Sequence, residues 1–277
     1  MHKLTIGPRF DQKPSGKPRL ILTDIDNTLL PNESRDLPTE KVTQIFRDVA
    51  KKLPVGVITA RPPQTSIYLI EHLEITGLSI FSNGAQIYDG KTKQMLVEYS
   101  LSISLTNEIM QKLTDKKIGY WVQDDGIDYH SPDYEWDQLP KNYVPKKPFI
   151  IVAKYLHEHE IDIVHELIKK YHESNVTSFV AHARNNEKGE TVYDMFIADK
   201  RSNKAAALHE ISQRTTIPLS DFLAIGDGHN DRVLLESVGW GVAMGNAVPE
   251  VKEVATFIAP NRKEDGAARA LEELLNL

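Results

Sequence analysis

The chain has 277 residues, enough for one large domain or for a core carrying an inserted second domain, and 40% of its residues are apolar. The formal net charge of -6 and the pI of about 5.9 argue against a broad basic face, so a nucleic-acid partner is not expected. Because the sequence contains no cysteine, disulfides, thiolate zinc sites and cysteine nucleophiles are excluded.

Membrane and export segments are not predicted either. No stretch reaches the roughly 20 apolar residues that a membrane-spanning helix needs, and the N-terminus lacks the long apolar run of a signal peptide. We therefore expect a cytoplasmic protein without membrane contact. Residues 7–18 are rich in Gly, Pro, Lys and Gln and can bury little apolar surface, which predicts a loose leader over residues 1–18.

Strand and helix patterns alternate after the leader. Leu20–Thr23 is an apolar run that stops at a carboxylate, which indicates a buried strand ending at a functional loop. The next predicted elements are a helix over residues 38–52, a strand over 55–59, a helix that begins at Pro62-Pro63, and a strand over 78–81. This order of elements is typical of a parallel sheet.

The middle of the chain has a different pattern. Strand candidates at residues 119–123 and 191–196 flank two amphipathic helices at 104–116 and 160–171. The first pattern then resumes, with predicted helices at residues 204–214, 231–237 and 267–276 and predicted strands at 222–225 and 241–244. We predict an α/β protein: a doubly wound, parallel, Rossmann-like core over residues 19–92 and 196–277, with an inserted α+β domain over 93–195.

Two carboxylates follow the first predicted strand of the core. Asp24 and Asp26 are two residues apart, so both side chains point the same way if the extended conformation persists. Carboxylates that share a small space repel each other unless a cation or a proton intervenes, which indicates a hard divalent ion or acid–base chemistry. Taken alone, the segment is also compatible with a simple turn or a helix N-cap.

A second acidic segment follows another predicted strand. Gly226-Asp227-Gly228-His229-Asn230-Asp231 comes directly after the strand at residues 222–225. Such loops open on one edge of a doubly wound sheet, so Asp227 and Asp231 can converge with Asp24 and Asp26, and four acids in one cleft call for Mg2+. A dinucleotide-binding loop is the alternative, but the third glycine of that pattern is missing and the acids would repel a pyrophosphate.

Two further polar residues lie at the same predicted edge. Thr59 ends the second strand and offers a hydroxyl donor, while Lys204 begins a helix, where its charge opposes the helix dipole. A threonine that caps a strand end and a solvated surface lysine are the alternatives for these two residues.

In order, Asp24-x-Asp26-x-Thr28, Thr59, Lys204 and Gly226-Asp227-x-x-Asn230-Asp231 resemble the four motifs of the haloacid dehalogenase superfamily. The segments Phe-Ser-Asn-Gly-Ala at residues 81–85, Ala-Ile-Gly-Asp-Gly-His-Asn-Asp at 224–231 and Val-Ala-Met-Gly-Asn-Ala at 242–247 narrow the resemblance to the Cof-type branch with a type II, subclass B cap. These segments span nearly the whole chain after residue 18. The resemblance implies that the inserted domain over residues 93–195 is that cap.

The resemblance implies a Mg2+-dependent phosphatase. Asp24 would be the nucleophile that forms an aspartyl-phosphate, and Asp26 the general acid and base. Mg2+ would be held by the Asp24 carboxylate, the Asp26 backbone carbonyl and the Asp227 carboxylate, with Asp231 nearby or acting through water. Thr59 and Lys204 would bind the transferring phosphoryl oxygens.

Supporting roles follow from the same resemblance. Thr28, Asn83 and Asn230 would assist substrate binding, and Arg61, like His229, would face the substrate or be an exposed loop residue. The cap would set specificity; its residues 119–134 contain candidates for sugar recognition, among them Trp121, Asp124, Asp125, Asp128, Tyr129 and His130, although ordinary strand packing explains them equally well.

The expected partner is a small phosphorylated metabolite bound by a monomer or homodimer. Asn27 stands where most Cof-type members have glycine, and sucrose-phosphate phosphatases resemble the chain there, which favours a sugar phosphate. The alternatives are a phosphomutase of the phosphomannomutase type, which would need a bisphosphate activator and release almost no phosphate, and a non-catalytic sugar-phosphate sensor.

Overall fold

The computed structural model describes residues 3–31, 34–125, 143–186 and 188–277, with only the backbone at positions 181, 182 and 184. The chain divides into two compact units, a core unit of residues 1–97 and 203–277 and a cap unit of residues 98–202. The sequence pattern placed these borders at 92/93 and 195/196. They lie further along the chain because the strand at Gln94–Glu98 joins a sheet of the core unit, and because the last cap strand runs to Asp199.

The described residues form thirteen strands and eight α-helices. The strands are β1 (Thr5–Ile6), β2 (Leu20–Thr23), β3 (Val55–Val57), β4 (Leu78–Phe81), β5 (Gln86–Asp89), β6 (Gln94–Glu98), β7 (Tyr120–Asp124), β8 (Pro148–Leu156), β9 (Val176–Asn185), β10 (Thr191–Asp199), β11 (Phe222–Gly226), β12 (Trp240–Ala243) and β13 (Phe257–Ile258). The helices are α1 (Glu40–Ala50), α2 (Ile67–His72), α3 (Ile103–Asp115), α4 (Glu158–Lys169), α5 (Lys204–Thr215), α6 (Arg232–Ser237), α7 (Pro249–Val254) and α8 (Gly266–Leu275).

The main sheet of the core unit has the strand order β1-β13-β12-β11-β2-β3. All neighbours in it are parallel except β1, which pairs antiparallel with β13. On the other side, β4 continues the parallel arrangement through a bridge between Ile58 and Ile80, and it also begins the sheet β4-β5-β6. The predicted doubly wound parallel core is therefore confirmed.

The strand order reverses between β2 and β11. From β2 the chain moves outward through β3 to β4, whereas from β11 it moves outward in the opposite direction through β12 to β13. In doubly wound sheets the loops after such a pair of strands diverge and leave a crevice at their carboxyl ends. The acidic segments that begin at Asp24 and Asp227 follow β2 and β11, and they therefore lie at this switch point.

Apolar burial explains why the core strands lie where the pattern predicted. All four residues of β2 and all five of β11 are buried, as expected for parallel strands covered on both faces. Helix α1 begins after Thr39, whose side chain accepts a hydrogen bond from Val42 N, and buries Val42, Phe46 and Val49 on one face.

The cap unit is an antiparallel sheet with the order β7-β8-β10-β9 and two helices. Its core includes Ile109 of α3, Ile168 of α4 and Met195 of β10, all fully buried. This agrees with the predicted α+β insert. Strands β8 and β9 were not predicted: the apolar run of β8 carries no alternating signal, and β9 mixes polar and apolar residues without a regular period.

The leader is anchored at its start, in contrast to the loose segment that its composition predicted. Thr5 and Ile6 pair with Ile258 and Phe257, and Gly7 N donates to Thr256 O at 2.8 Å. A two-residue strand is too short to show a periodicity, so only the sheet edge that receives it explains its order. In the described part of the chain, no helix is long and apolar enough to cross a membrane.

Candidate active site

Asp24 begins the loop at the carboxyl end of β2. Its backbone N–H donates to Ile225 O of β11 at 2.8 Å, which continues the parallel pairing by one residue. Only 6% of Asp24 is exposed. The sheet therefore places this carboxylate in a fixed, largely dry position between the two central strands.

The loop after β11 places two acids beside it. Asp231 Oδ2 accepts from Asp227 N and Gly228 N, both at 3.1 Å, which folds the loop back on itself. Gly226 permits this fold, because an added Cβ would lie 2.6 Å from Asp231 Cγ. Thr28, in the loop after β2, donates its hydroxyl to Asp227 Oδ1 at 3.1 Å and so connects the two acidic loops.

Lys204 completes the cluster from the first position of α5. Its ammonium donates to Asp24 Oδ1 at 3.0 Å and to Asp231 Oδ1 at 2.6 Å, and only 3% of the residue is exposed. Asn203 caps the helix by accepting from Ala206 N at 2.8 Å, which fixes the turn from which Lys204 projects. The alternative of a solvated surface lysine is therefore wrong.

The electrostatics of the cluster are unbalanced. Burial raises the pKa of Asp24 well above its usual range, against the opposing effect of Lys204. Burial, together with the charge of Asp231, raises the pKa of Asp227 to about 7. Burial alone would lower the pKa of Lys204, but Asp231 and Asp24 raise it above its ordinary value, so the ammonium stays charged. Three carboxylates against one ammonium leave negative charge that a further cation would relieve.

The donor set fits a hard divalent cation. Asp24, Asp227 and Asp231 each offer a carboxylate oxygen, and these oxygens lie within 4.8 Å of one another. Both oxygens of Asp231 already accept hydrogen bonds, whereas Asp24 Oδ2 and Asp227 Oδ2 accept none from the described residues. Oxygen ligands suit Mg2+. Asp24 and Asp227 are therefore better placed as direct ligands than Asp231.

The carboxylate of Asp26 lies outside this cluster. Arg61 Nε donates a hydrogen bond to Asp26 Oδ2 at 2.8 Å, and Arg61 Nη2 donates one to Asp26 Oδ1 at 2.5 Å. The two-residue spacing predicted that Asp24 and Asp26 share one space. Asp26 instead pairs with Arg61, where the backbone turns at Ile25, whose carbonyl accepts from Leu29 N and Leu30 N.

Arg61 is buried and is not an exposed loop residue. It is 1% exposed, and besides Asp26 it contacts Ser34 O through Nη1 at 2.8 Å. Burial alone would lower the pKa of Arg61, but the hydrogen bond and the charge of Asp26, with smaller contributions from Tyr68 and Asp24, together raise it above its ordinary value. The guanidinium therefore connects the loop after β3 with the loop after β2.

Thr59, Asn83 and Asn230 lie in loops at the same edge of the sheet. Thr59 is buried, and its hydroxyl accepts from Arg61 N at 3.1 Å. Asn83 N donates to Thr59 O at 3.0 Å, and Asn83 Oδ1 is buried without a hydrogen-bond partner among the described residues. Asn230 is half-buried and His229 exposed in the 3₁₀ turn after Gly228.

Asn246 belongs to the same edge, although it was noted in the sequence only as part of a family segment. Its Nδ2 donates to Asn27 O at 2.8 Å, and its Oδ1 accepts from Arg262 N at 2.9 Å. The residue therefore holds the loop that follows Asp26. Its position directly after a predicted parallel strand was the signal that could have identified it.

Packing explains two of the described cap candidates, Asp124 and Trp121, whereas Asp125 is exposed. Asp124 is 3% exposed and accepts from Tyr143 Oη at 2.9 Å and from the backbone N–H groups of Lys146 and Lys147 at 2.8 and 2.6 Å, so it holds a loop. Trp121 is buried in β7. Three further candidates lie outside the described residues: Asp128, Tyr129 and His130.

Known proteins resemble the chain along nearly its whole length. Two relatives are 5-amino-6-(5-phospho-D-ribitylamino)uracil phosphatases of Bacillus subtilis, YcsE and YitU. YcsE is 27% identical over 91% of this chain and 94% of its own length. YitU is 26% identical over 94% of this chain and 99% of its own length. A putative phosphatase of B. subtilis, YkrA, is 47% identical over 72 residues, which are 26% of this chain and 28% of YkrA.

Solved structures share the fold. A haloacid dehalogenase-like hydrolase from Bacteroides thetaiotaomicron matches with a TM-score of 0.72 and 20% identity, over 93% of this chain and 100% of that one. A sugar phosphatase of haloacid dehalogenase subclass IIB matches with a TM-score of 0.70 and 20% identity, over 94% and 100%. The predicted resemblance, including the cap subclass, is confirmed at the level of the fold.

The family match covers the core and the insert alike. Residues 21–271 match the haloacid dehalogenase-like hydrolases, a span that begins in β2 and ends in α8. The whole candidate active site, from Asp24 to Asp231, lies within that span. The chain therefore belongs to the haloacid dehalogenase-like hydrolase family and is a phosphoric monoester hydrolase.

Proposed function

We propose that the chain is a Mg2+-dependent phosphatase that hydrolyses a small sugar or sugar-alcohol phosphate through an aspartyl-phosphate on Asp24. The observation that carries the proposal is the contact of one buried lysine with two buried carboxylates at the switch point, 3.0 Å from Asp24 and 2.6 Å from Asp231. Phosphoryl transfer needs an aligned nucleophile beside fixed positive charge. This cluster provides both.

Asp24 is the proposed nucleophile. Its Oδ1 is held by Lys204, so Oδ2 is the oxygen left to attack phosphorus or to contact a metal ion. Lys204 also remains positioned to stabilise charge on the phosphoryl oxygens, together with the hydroxyl of Thr59. Thr28 then serves by orienting Asp227 rather than by touching the substrate.

Asp26 is the proposed general acid and base. It would protonate the leaving oxygen and later remove a proton from the water that attacks the aspartyl-phosphate, releasing inorganic phosphate and restoring Asp24. In the present structure its carboxylate is held by Arg61. Asn83 and Asn230 would assist in binding; the buried, unpartnered Oδ1 of Asn83 can accept a hydrogen bond from a donor that enters the site.

The proposed metal ligands are the carboxylates of Asp24 and Asp227 and the backbone carbonyl of Asp26, with Asp231 in support. Mg2+ bound there would neutralise charge on the phosphoryl group and on the carboxylates. The negative charge that Lys204 leaves uncompensated supports this assignment.

The proposed substrate class rests on the relatives. By their names, YcsE and YitU act on a phosphoribityl compound, and a protein of similar fold is a sugar phosphatase. Both kinds of substrate carry a phosphate on a polyhydroxyl chain or ring. We propose the same class here, recognised by the cap, and a cytoplasmic monomer or homodimer as the acting form.

The test is phosphate release from a panel: sugar phosphates, a phosphoribityl compound, nucleotides, phosphoglycerates and p-nitrophenyl phosphate, each with Mg2+ or with EDTA. We expect Mg2+-dependent release, fastest with the polyhydroxyl substrates. Release of almost no phosphate, with isomerisation of a sugar phosphate when a bisphosphate is added, would identify a phosphomutase instead. Binding of a sugar phosphate without any turnover would identify a sensor.

A further inference from the structure

The turn Ser82–Gly84 follows β4 and touches two elements of the candidate site. Asn83 N donates to Thr59 O at 3.0 Å, which ties the turn to the loop after β3. Gly84 lies against the backbone of Asn203, the residue that precedes Lys204. The turn therefore lies between the two residues proposed to bind the phosphoryl oxygens.

The backbone of this turn is unusual. Ser82 and Asn83 have φ angles of 50° and 53°, and Gly84 has a φ of 107°. Positive φ disfavours residues other than glycine, and such strain persists only where the surrounding structure holds it. A run of this kind next to the site indicates that the position of the turn matters more than its local stability.

Gly84 also makes a close approach that no side chain would allow. An added Cβ would lie 2.4 Å from Asn203 O, 2.5 Å from Asn203 C and 2.7 Å from Asn203 N. These are backbone atoms, so they cannot rotate away as the tip of a flexible side chain would. Any side chain at Gly84 must displace Asn203 itself.

A displacement of Asn203 would move Lys204. Asn203 is the N-cap of α5 and accepts from Ala206 N at 2.8 Å, so its backbone and the first helical turn are one rigid piece. Lys204 can move little without losing its contacts. Its ammonium lies 3.0 Å from Asp24 Oδ1 and 2.6 Å from Asp231 Oδ1, and only 3% of the residue is exposed.

We propose that Gly84 is a positioning residue for phosphoryl transfer, whose missing side chain lets Asn203 approach and thereby sets the place of the Lys204 ammonium. The inference rests on the proposed function, because it takes Lys204 to bind the transferring phosphoryl group. It adds a steric requirement, located in a different loop, to the four motifs that carry the chemistry.

The first variant is Gly84→Ala, matched with Gly16→Ala. Gly16 has a φ of 89°, and no atom of the described chain lies within 4 Å of an added Cβ there, so this control carries comparable backbone strain without the contact. For Gly84→Ala we expect kcat with p-nitrophenyl phosphate to fall about 10- to 100-fold, the range for a misplaced catalytic group. For Gly16→Ala we expect a change within about twofold.

A double-mutant cycle separates positioning from general damage. If Gly84 acts through Lys204, then Gly84→Ala should change the residual kcat of Lys204→Ala by less than about twofold, measured at high enzyme concentration. The inference would be overturned if Gly84→Ala lowered kcat by the same factor in the wild-type and Lys204→Ala backgrounds, or if Gly84→Ala alone left kcat unchanged.

A second cycle covers the case in which Gly84→Ala does not fold. Asn203→Ala removes the side chain that caps α5, a loss that proteins usually survive, and should lower kcat in the wild-type background but not in Lys204→Ala. Additive losses in this cycle would overturn the inference as well. Full activity of Lys204→Ala would instead refute the role of Lys204 in the proposed function.

Discussion

Hydrogen bonding gives chemically identical acids different roles. Asp231 accepts from Lys204 and from two backbone N–H groups, and Asp26 is occupied by Arg61, whereas Asp24 and Asp227 each keep an oxygen that accepts no hydrogen bond from the described residues. The sequence predicted that these four residues would lie at one edge of the sheet. Only the family resemblance assigned them different roles; their spacing did not, because the hydrogen bonds that distinguish them join residues far apart in the chain.

Arg61 provides a prediction about stability. Arg61→Ala removes a buried guanidinium that contacts Asp26 and Ser34 O, so we expect a loss of about 2–4 kcal/mol in the free energy of unfolding. Urea titration followed by circular dichroism measures it. Arg19→Ala breaks an ion pair with Asp221 whose side chains are 57% and 32% exposed, and should cost at most about 1 kcal/mol. Equal losses in the two variants would show that the burial of Arg61 contributes nothing.

At the scale of elements, the loop after β2 shows why a family position tolerates only certain residues. Asn27 has a φ of 55°, a conformation that glycine and asparagine adopt more readily than other residues. The glycine common at this position in the Cof-type branch and the asparagine found here therefore meet the same backbone requirement. This reduces the weight of Asn27 as an indication of a sugar-phosphate substrate.

The corresponding prediction concerns Asn27→Gly and Asn27→Val. Glycine should preserve both the stability and the order of preference among phosphorylated substrates, because it suits the left-handed conformation. Valine should lower the free energy of unfolding by about 1–2 kcal/mol. Urea titration and the substrate panel test both variants. A changed order of substrate preference in Asn27→Gly would show that the side chain reads the substrate after all.

Elements with a clear apolar run or helical spacing in the sequence were predicted, and very short elements were not. Strands β2 and β11 were predicted from their apolar runs, and α1 from its spacing and its capping threonine. Strand β1 and the short strand β13 were not predicted, since each holds only two residues and is ordered by pairing with a distant segment. The Gly84 contact was also beyond prediction, because it depends on how closely α5 approaches β4.

At the scale of the whole molecule, the buried acids make stability depend on pH and on metal. The pKa of Asp227 rises from its ordinary value to about 7 in the folded chain, and that of Asp24 rises as well. A folded state that binds protons more tightly than the unfolded state is stabilised at low pH, and that contribution is lost as the pH rises through about 7. Metal binding needs the ionised carboxylates, so it should strengthen over the same interval.

We therefore expect Mg2+ to raise the Tm more at pH 8 than at pH 6. Without metal, the contribution of Asp227 to stability should decline over this range. Thermal unfolding at both pH values, with Mg2+ and with EDTA, measures the difference. Asp227→Asn, which keeps the shape but cannot ionise, should lose most of the Mg2+ effect at pH 8. A Mg2+-induced shift of equal size at pH 6 and pH 8 would contradict the account.

The architecture was more predictable than the borders of its parts. Alternating strand and helix patterns predicted the doubly wound core, and the change of pattern predicted an insert. The first border lies at 97/98 because β6 pairs within a core sheet, and the second lies at 202/203 because β10 runs to Asp199; the sequence of these segments alone indicates neither.

The central claim is that Asp24 is the nucleophile, and the most direct test is the turnover of Asp24→Asn. The substitution removes one of three mutually repelling carboxylates and leaves Lys204 paired with Asp231, so the protein should fold at least as stably as the wild type. We predict Mg2+-dependent phosphate release in the wild type and in the control Asp48→Asn, an exposed change on α1, and no detectable turnover in Asp24→Asn. Appreciable phosphate release by folded Asp24→Asn would contradict the account.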